Sequence, residues 1–214
     1  MDLKRNGIVL ALALLVLWRN LPGALLCLWP RLLRARSLPD GAPEVNETLF
    51  EQMEGELVPL GFERLGAHLE SPPLKRSRLV YDFVQRGEKT FASAFLDGPE
   101  VDLYLLTAFE SGGGVLTADH ARISAEQAGR FLSGGLPGAT PVHLLAAHRR
   151  RVESLKVAGQ TERSDLSLEA RVSVACQWVR SAGAREVRLK NANAFILSLA
   201  TLVMLGAMIA GVMR

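Results

Sequence analysis

Residues 78–117 read RLVYDFVQRGEKTFASAFLDGPEVDLYLLTAFESGGGVLT. Three runs in it are rich in β-branched and aromatic residues: Arg78 to Gln85, Thr90 to Leu96 and Val101 to Phe109. Leu79, Tyr81 and Phe83 alternate onto one face, the period of a half-buried strand. The connections are short and built from turn formers, Arg86-Gly87-Glu88-Lys89 and Asp97-Gly98-Pro99. Ser111-Gly112-Gly113-Gly114 then leads into a short strand, Val115 to Thr117. Consecutive strands joined this tightly must pair antiparallel, because a parallel crossover needs a dozen residues or more. The stretch therefore predicts an antiparallel meander.

On the N-terminal side, Phe62 to Glu70 reads as one more strand, closed by Ser71-Pro72-Pro73. That makes about five. Before it, Leu49, Phe50, Met53 and Leu57 give a helical apolar face capped by Asn46 and ended by Pro59 and Gly61. On the C-terminal side the period becomes helical. Ser124 with Gln127 forms a capping-box pattern for a short helix to Leu132. Thr140 and Pro141 start a stronger one, PVHLLAAHRRRVESLKVA, ended by Gly159. Ser164 caps another from Asp165 to about Ala182, running almost into the C-terminal segment. The fold class is α+β, a meander sheet of about five strands packed with helices and flanked by a membrane helix at each end. The organisation expected is residues 1–36 as an N-terminal membrane segment with basic flanks, 37–160 as the α+β domain, 161–190 as an amphipathic connector and 191–214 as a C-terminal membrane helix.

The ends of the 214-residue chain account for its 49% hydrophobic content and mean hydropathy of +0.16. Residues 191–213, NANAFILSLATLVMLGAMIAGVM, hold no charge. At about 1.5 Å per residue they cross a hydrocarbon core of roughly 30 Å. The other apolar segment runs from Gly7 to Trp29, with Trp18 and Trp29 as interfacial anchors and Arg19 near its middle. Two other readings exist for it, a cleaved signal peptide and an in-plane or re-entrant hairpin bent at Pro22-Gly23. A further rival is an extracellular, lipid-anchored protein, from the Asn46-Glu47-Thr48 sequon and the small residues Ser181-Ala182-Gly183 before an apolar tail. The heavily charged spacer and the absence of a disulfide framework argue against it.

Charge follows the same division. Residues 37–179 hold 14 Lys and Arg against 20 Asp and Glu, so the overall +3 and the pI near 9.1 come from the flanks. No basic stripe interleaved with aromatics is present, and no nucleic-acid partner is expected. Arg31, Arg34 and Arg36 follow the first segment, and Arg180, Arg185, Arg188 and Lys190 precede the second. Only Lys4, Arg5 and Arg214 lie outside. The positive-inside rule then favours a cytoplasmic middle domain, in a protein expected at a bacterial inner membrane. The same flanks make Arg31, Arg34, Arg36, Arg185, Arg188 and Lys190 candidates for anionic lipid head groups, with Arg150 and Arg151 of the HRRR run. Gly206 with Ala210 and Ala207 with Gly211 are spaced for close helix packing, hence for a homo-oligomer through the C-terminal helix.

Catalytic chemistry is harder to find. The glycine runs lack the lysine and the βαβ setting of a phosphate loop. No GxSxG, HExxH or Ser-x-x-Lys motif occurs. His143 and His148 are five apart on one helix, about 140° around its axis, a poor metal pair. His120 and Asp119 with one helix histidine would be a better set, but no metal or other cofactor is expected. Asp82 and Asp102 alternate with apolar residues and so should face water. Cys27 and Cys176 sit in apolar contexts with nothing to activate them. The run SAFLDGPEVDLYLLTAFESGGGVLTAD (93–119), HLLAAHRRRVE (143–153) and the opening Leu60-Gly61-Phe62 with Gly66 resemble a group of uncharacterised bacterial membrane-anchored proteins. The resemblance covers about residues 48–155 and implies antiparallel strands, a glycine-marked turn and a helix with His148 and Val152, but no activity. The function expected is a non-enzymatic binding, scaffold or sensory module held at a membrane. A tethered hydrolase would instead need a pocket joining His120, His148 and a carboxylate. A binder of lipid or another apolar ligand would need a cavity among Tyr81, Phe83, Phe95 and Tyr104.

Overall fold

A computed structural model describes residues 3–38, 47–97, 100–122, 124–127, 129–181 and 183–212. The fold is α+β, and its meander is longer than the sequence predicts. Eight strands form one sheet in the order β1-β2-β3-β4-β5-β6-β8-β7. The predicted five are β2 (Glu63–Ser71), β3 (Arg78–Gln85), β4 (Thr90–Asp97), β5 (Glu100–Ala108) and β6 (Gly114–Ala118), each antiparallel to the next.

The other three strands depart from the sequence reading. Arg34–Ser37 is β1, an edge strand antiparallel to β2, where the sequence predicts only the basic flank of the first membrane segment. The helix expected from Ser124 to Leu132 is instead two short strands, β7 (Ala125–Gln127) and β8 (Phe131–Gly135), with β8 parallel to β6. The capping-box pattern is a local signal. Adding β8 to the open edge of β6 satisfies a row of backbone groups and buries Phe131, while Gly134 and Gly135 disfavour helix. The cap at Asn46 and the Gly98-Pro99 turn lie outside the described residues.

Both faces of the sheet are covered. On one lie α2 (Glu47–Leu57) and α3 (Pro141–Val157). Phe50 of α2 stacks on Phe83 at 5.1 Å and meets Tyr81 edge-on at 4.7 Å, while Leu144 and Leu145 of α3 join Leu103 and Leu105 in the same core. On the other face α4 (Leu168–Arg180) brings Val174 and Trp178 against Val80, Val84, Phe91, Leu106 and Leu116. The cap of α4 is Ser167, whose Oγ accepts from the Ala170 N–H at 3.1 Å, and not Ser164. Its helix does not continue into the C-terminal segment. The chain turns at Ser181, and α5 (Gly183–Val212) begins anew. Gly183 is required at this corner, because a Cβ there would lie 2.3 Å from the Trp178 ring.

The terminal helices pair with each other. α1 (Leu3–Leu28) is one helix running through Pro22, so the re-entrant bend at Pro22-Gly23 is not formed. It packs along α5. Gly23 approaches Asn191 and Ala194 so closely that a Cβ would sit 2.7 Å from the Ala194 Cβ. Since the end of α1 meets the start of α5, the two run antiparallel, a hairpin joined at one end to the domain. Both are long and apolar enough to cross a membrane.

Candidate functional site

Three polar constellations are held by the sheet, and a fourth surrounds the root of the hairpin. The first lies between the sheet and α4. Asp82, expected to face water, is fully buried, because the α4 side of the sheet is covered and β3 is a central strand. Its carboxylate takes a bond from the Ser93 hydroxyl at 2.6 Å and pairs closely with His68 Nδ1. Arg171 reaches down from α4 with no exposed surface. Its Nε lies 3.0 Å from Ser93 Oγ and 3.3 Å from Asp82 Oδ1, and one terminal nitrogen donates to the Tyr104 hydroxyl. Glu70 extends the cluster, 3.7 Å from His68 Nε2 and bridged to Arg78.

Burial by itself would lower the His68 pKa, but Asp82 and Glu70 outweigh burial and the opposing charge of Arg171, and hold it above the ordinary value. For Glu70, burial acts upward and is overcome by His68 and Arg78, leaving the carboxyl well below its usual range. The opposite charges therefore offset one another in a region closed to water, although His68 Nε2 and Arg171 Nη1 are buried there with no hydrogen-bond partner among the described residues. Ser93 donates to Asp82 and not to the imidazole, so the three side chains are not ordered as a serine–histidine–aspartate relay. The cluster locks α4 to the sheet.

The second constellation is a directed chain of hydrogen bonds under α3. Arg151 Nη1 donates to Thr117 Oγ1 at 3.0 Å. The Thr117 hydroxyl proton is then free for His148 Nδ1 at 3.1 Å, which makes Nε2 the protonated nitrogen, bonded to Thr107 Oγ1 at 3.0 Å. Thr107 in turn donates to Thr90 Oγ1 at 2.8 Å, and Thr90 to the Glu88 carbonyl at 3.0 Å. Each acceptor receives one proton, with none left over for a second on the imidazole. Burial, with the Arg151 charge adding to it, pushes the His148 pKa down to about 3.

The third lies at the ends of β5 and β6, where Asp102, Asp119 and His120 bring their ligand atoms within 4.8 Å of one another. This is the one group of three metal-ligating side chains found among the described residues. Asp119 and His120 were foreseen as partners. The third member is Asp102, not a helix histidine, since His143 is exposed and His148 is sealed under α3. Asp102 was hidden because only strand register sets it beside His120.

The fourth is a basic collar. Arg31, Arg34, Arg36, Arg180, Arg185, Arg188 and Lys190 are all exposed at the domain end of the hairpin. The short 3-10 turn Pro30–Leu32 touches both α4 and the start of α5, which draws the two groups of arginines together. Of the pair on α3, Arg150 is exposed, while Arg151 is bound to Thr117 and the Gly134 carbonyl. Gly206, Ala207, Ala210 and Gly211 lie exposed on α5. The α1-facing side uses Ala194, Ser198 and Thr201 instead.

His120 and His148 are on opposite faces of the sheet, so no pocket joins them. Tyr81 and Phe83 on one face, and Phe95 and Tyr104 on the other, are packed against neighbouring side chains. One cavity of about 20 Å³ lies beside Phe109 and Trp178, with room for about one water. A more open cleft of about 400 Å³ is lined by Met53, Glu56, Glu100, Leu103 and Asp119. Comparison with protein-family models, curated proteins and solved structures gives no match. The functional reading therefore rests on this geometry.

Proposed function

We propose that the protein is an integral protein of a bacterial inner membrane, in which α1 and α5 hold a non-enzymatic binding, scaffold or sensory domain at the cytoplasmic surface. One observation carries the reading. The paired helices cover little of each other and turn a belt of large apolar side chains outward. Ile8, Leu12, Leu15 and Trp18 on α1, with Ile196, Leu199, Leu202, Val203 and Ile209 on α5, are half or more exposed. Contiguous apolar surface of this extent is rare on a soluble monomer and is what hydrocarbon requires. A buried core helix, the ordinary explanation for such a sequence, would have this surface covered.

The side assignment rests on the collar. Seven basic residues gather where the hairpin meets the domain, which favours a cytoplasmic domain and contact with anionic head groups. Arg19, exposed near the middle of the Gly7–Trp29 segment, is the one charge the segment carries into hydrocarbon, and the length of its side chain lowers that cost by snorkelling. The outward small-residue stripe at Gly206, Ala207, Ala210 and Gly211 is the surface we assign to self-association. Expression in a bacterial host followed by an alkaline carbonate wash tests the anchoring. Retention in the pellet, with release only by detergent, is expected. Recovery of the full-length chain in the wash would overturn the reading.

A further inference from the structure

We propose that Asp102, Asp119 and His120 form a binding site for one divalent first-row transition-metal ion of the Zn2+ class. Strand pairing builds the trio. Tyr104 is paired with Ala118. One step further, Leu103 and Asp119 face each other and exchange two bonds, Asp119 N–H to the Leu103 carbonyl at 3.0 Å and Leu103 N–H to Asp119 Oδ1 at 2.9 Å. The next step sets Asp102 opposite His120. The ligand atoms thus come from Asp102 on β5 and from the bend that directly follows β6, tied to β5 by the two Leu103–Asp119 bonds.

The two edges that meet at the imidazole have the spacing of a coordination sphere, and all three ligand atoms lie within 4.8 Å of one another. Metal–ligand bonds of about 2.0–2.2 Å place neighbouring ligand atoms roughly 2.8–3.6 Å apart. His120 Nδ1 lies 3.2 Å from Asp119 Oδ1 and 3.6 Å from Asp102 Oδ2. The supports that orient ligands are also present. The Leu103 N–H fixes the Asp119 carboxylate, and the Phe95 ring meets the imidazole edge-on at 6.1 Å.

One nitrogen and two carboxylates, with no thiolate, suit a borderline cation. Calcium and magnesium prefer oxygen alone and more of it. The three side chains are 14% to 23% exposed, enough for an ion to enter and too little for free solvation. Asp119 also lines the 400 Å³ cleft, where Glu56 and Glu100 add negative charge that concentrates cations. Two residues beyond His120, Arg122 bonds Glu186 in the first turn of α5 at 2.8 Å. An ion at this site would stiffen the link between sheet and anchor.

The test uses the full chain without a histidine tag, stripped with chelator in detergent micelles and titrated with Zn2+. One ion per chain is expected, bound at least about 100-fold more weakly by D102N and by H120A. H143A, at the exposed helix histidine, should bind as the unaltered protein does. Two measurements on the unaltered protein remain decisive if the variants misfold. Zn2+ should protect His120 from diethyl pyrocarbonate, read on its peptide by mass, and Co2+ should give ligand-field absorption with no thiolate charge-transfer band. No stoichiometric binding, equal binding in folded D102N and H120A, unprotected His120 or a thiolate band would each overturn the proposal.

Discussion

Acid should unfold this domain through His148 before most of its carboxylates are protonated. The perturbation is a pH drop from 7 to about 4.5, compared between the unaltered chain and His148→Gln, which keeps a polar group but cannot titrate. In the unfolded chain the imidazole takes up a proton near 6.5, whereas in the fold it resists protonation until about 3. Between those values the unfolded state binds more protons, so stability falls as pH falls. Each unit of pH in this window costs about 1.4 kcal/mol, giving a loss near 2.5 kcal/mol by about pH 4.5 from this one side chain. Above pH 6.5 the contribution is flat. Urea unfolding of the full chain in non-ionic micelles, followed by near-ultraviolet circular dichroism, reads it out. The carboxylates titrate in both proteins and cancel, so the stability gap between them should change by about 2.5 kcal/mol over the range. Parallel pH curves would refute the sealed, neutral imidazole inferred from the threonine chain.

His68 should act with the opposite sign. Its pKa is raised in the fold, so its contribution is complete below 6.5 and lost as pH rises through the raised value. Melting curves on the alkaline side should show this loss, and Asp82→Asn should remove the dependence. Arg171→Met should destabilise the domain by about 3–5 kcal/mol, because Asp82 is then a buried charge deprived of its arginine. An urea midpoint within error of the unaltered protein would contradict that lock. Gly183→Val should cost about 1–3 kcal/mol by driving a side chain into the Trp178 ring, read as a shift in Trp fluorescence and melting temperature. Gly23→Leu should separate α1 from α5 without unfolding the sheet, visible as lost cross-linking between cysteines placed on the two helices.

The parts of the fold that could be read from sequence are those whose signal is local. Alternation in 78–117 exposes the strands, and Pro141 with Gly159 brackets α3. The parts that could not be read depend on distant partners. The four residues of β1 carry no apolar alternation and become a strand only because β2 offers an edge. The segment 125–135 holds a helical cap signal that loses to the edge of β6. Asp82 and Asp102 have the same alternating sequence context, yet one is sealed beneath Arg171 and the other is half-buried beside His120. The difference is set by which parts of the sheet α4 covers, and no spacing rule contains that. The collar arginines were visible from charge alone, while their gathering at one end required the antiparallel pairing of α1 with α5.

The orientation of the domain is the claim on which the rest depends, and protease access decides it. Spheroplasts expressing the full chain are treated with protease, and fragments are detected from both ends. The account predicts that residues 34–180 stay intact until the membrane is lysed and are then cleaved. Digestion of that region in intact spheroplasts would place the domain on the outer side and contradict the positive-inside reading of the collar.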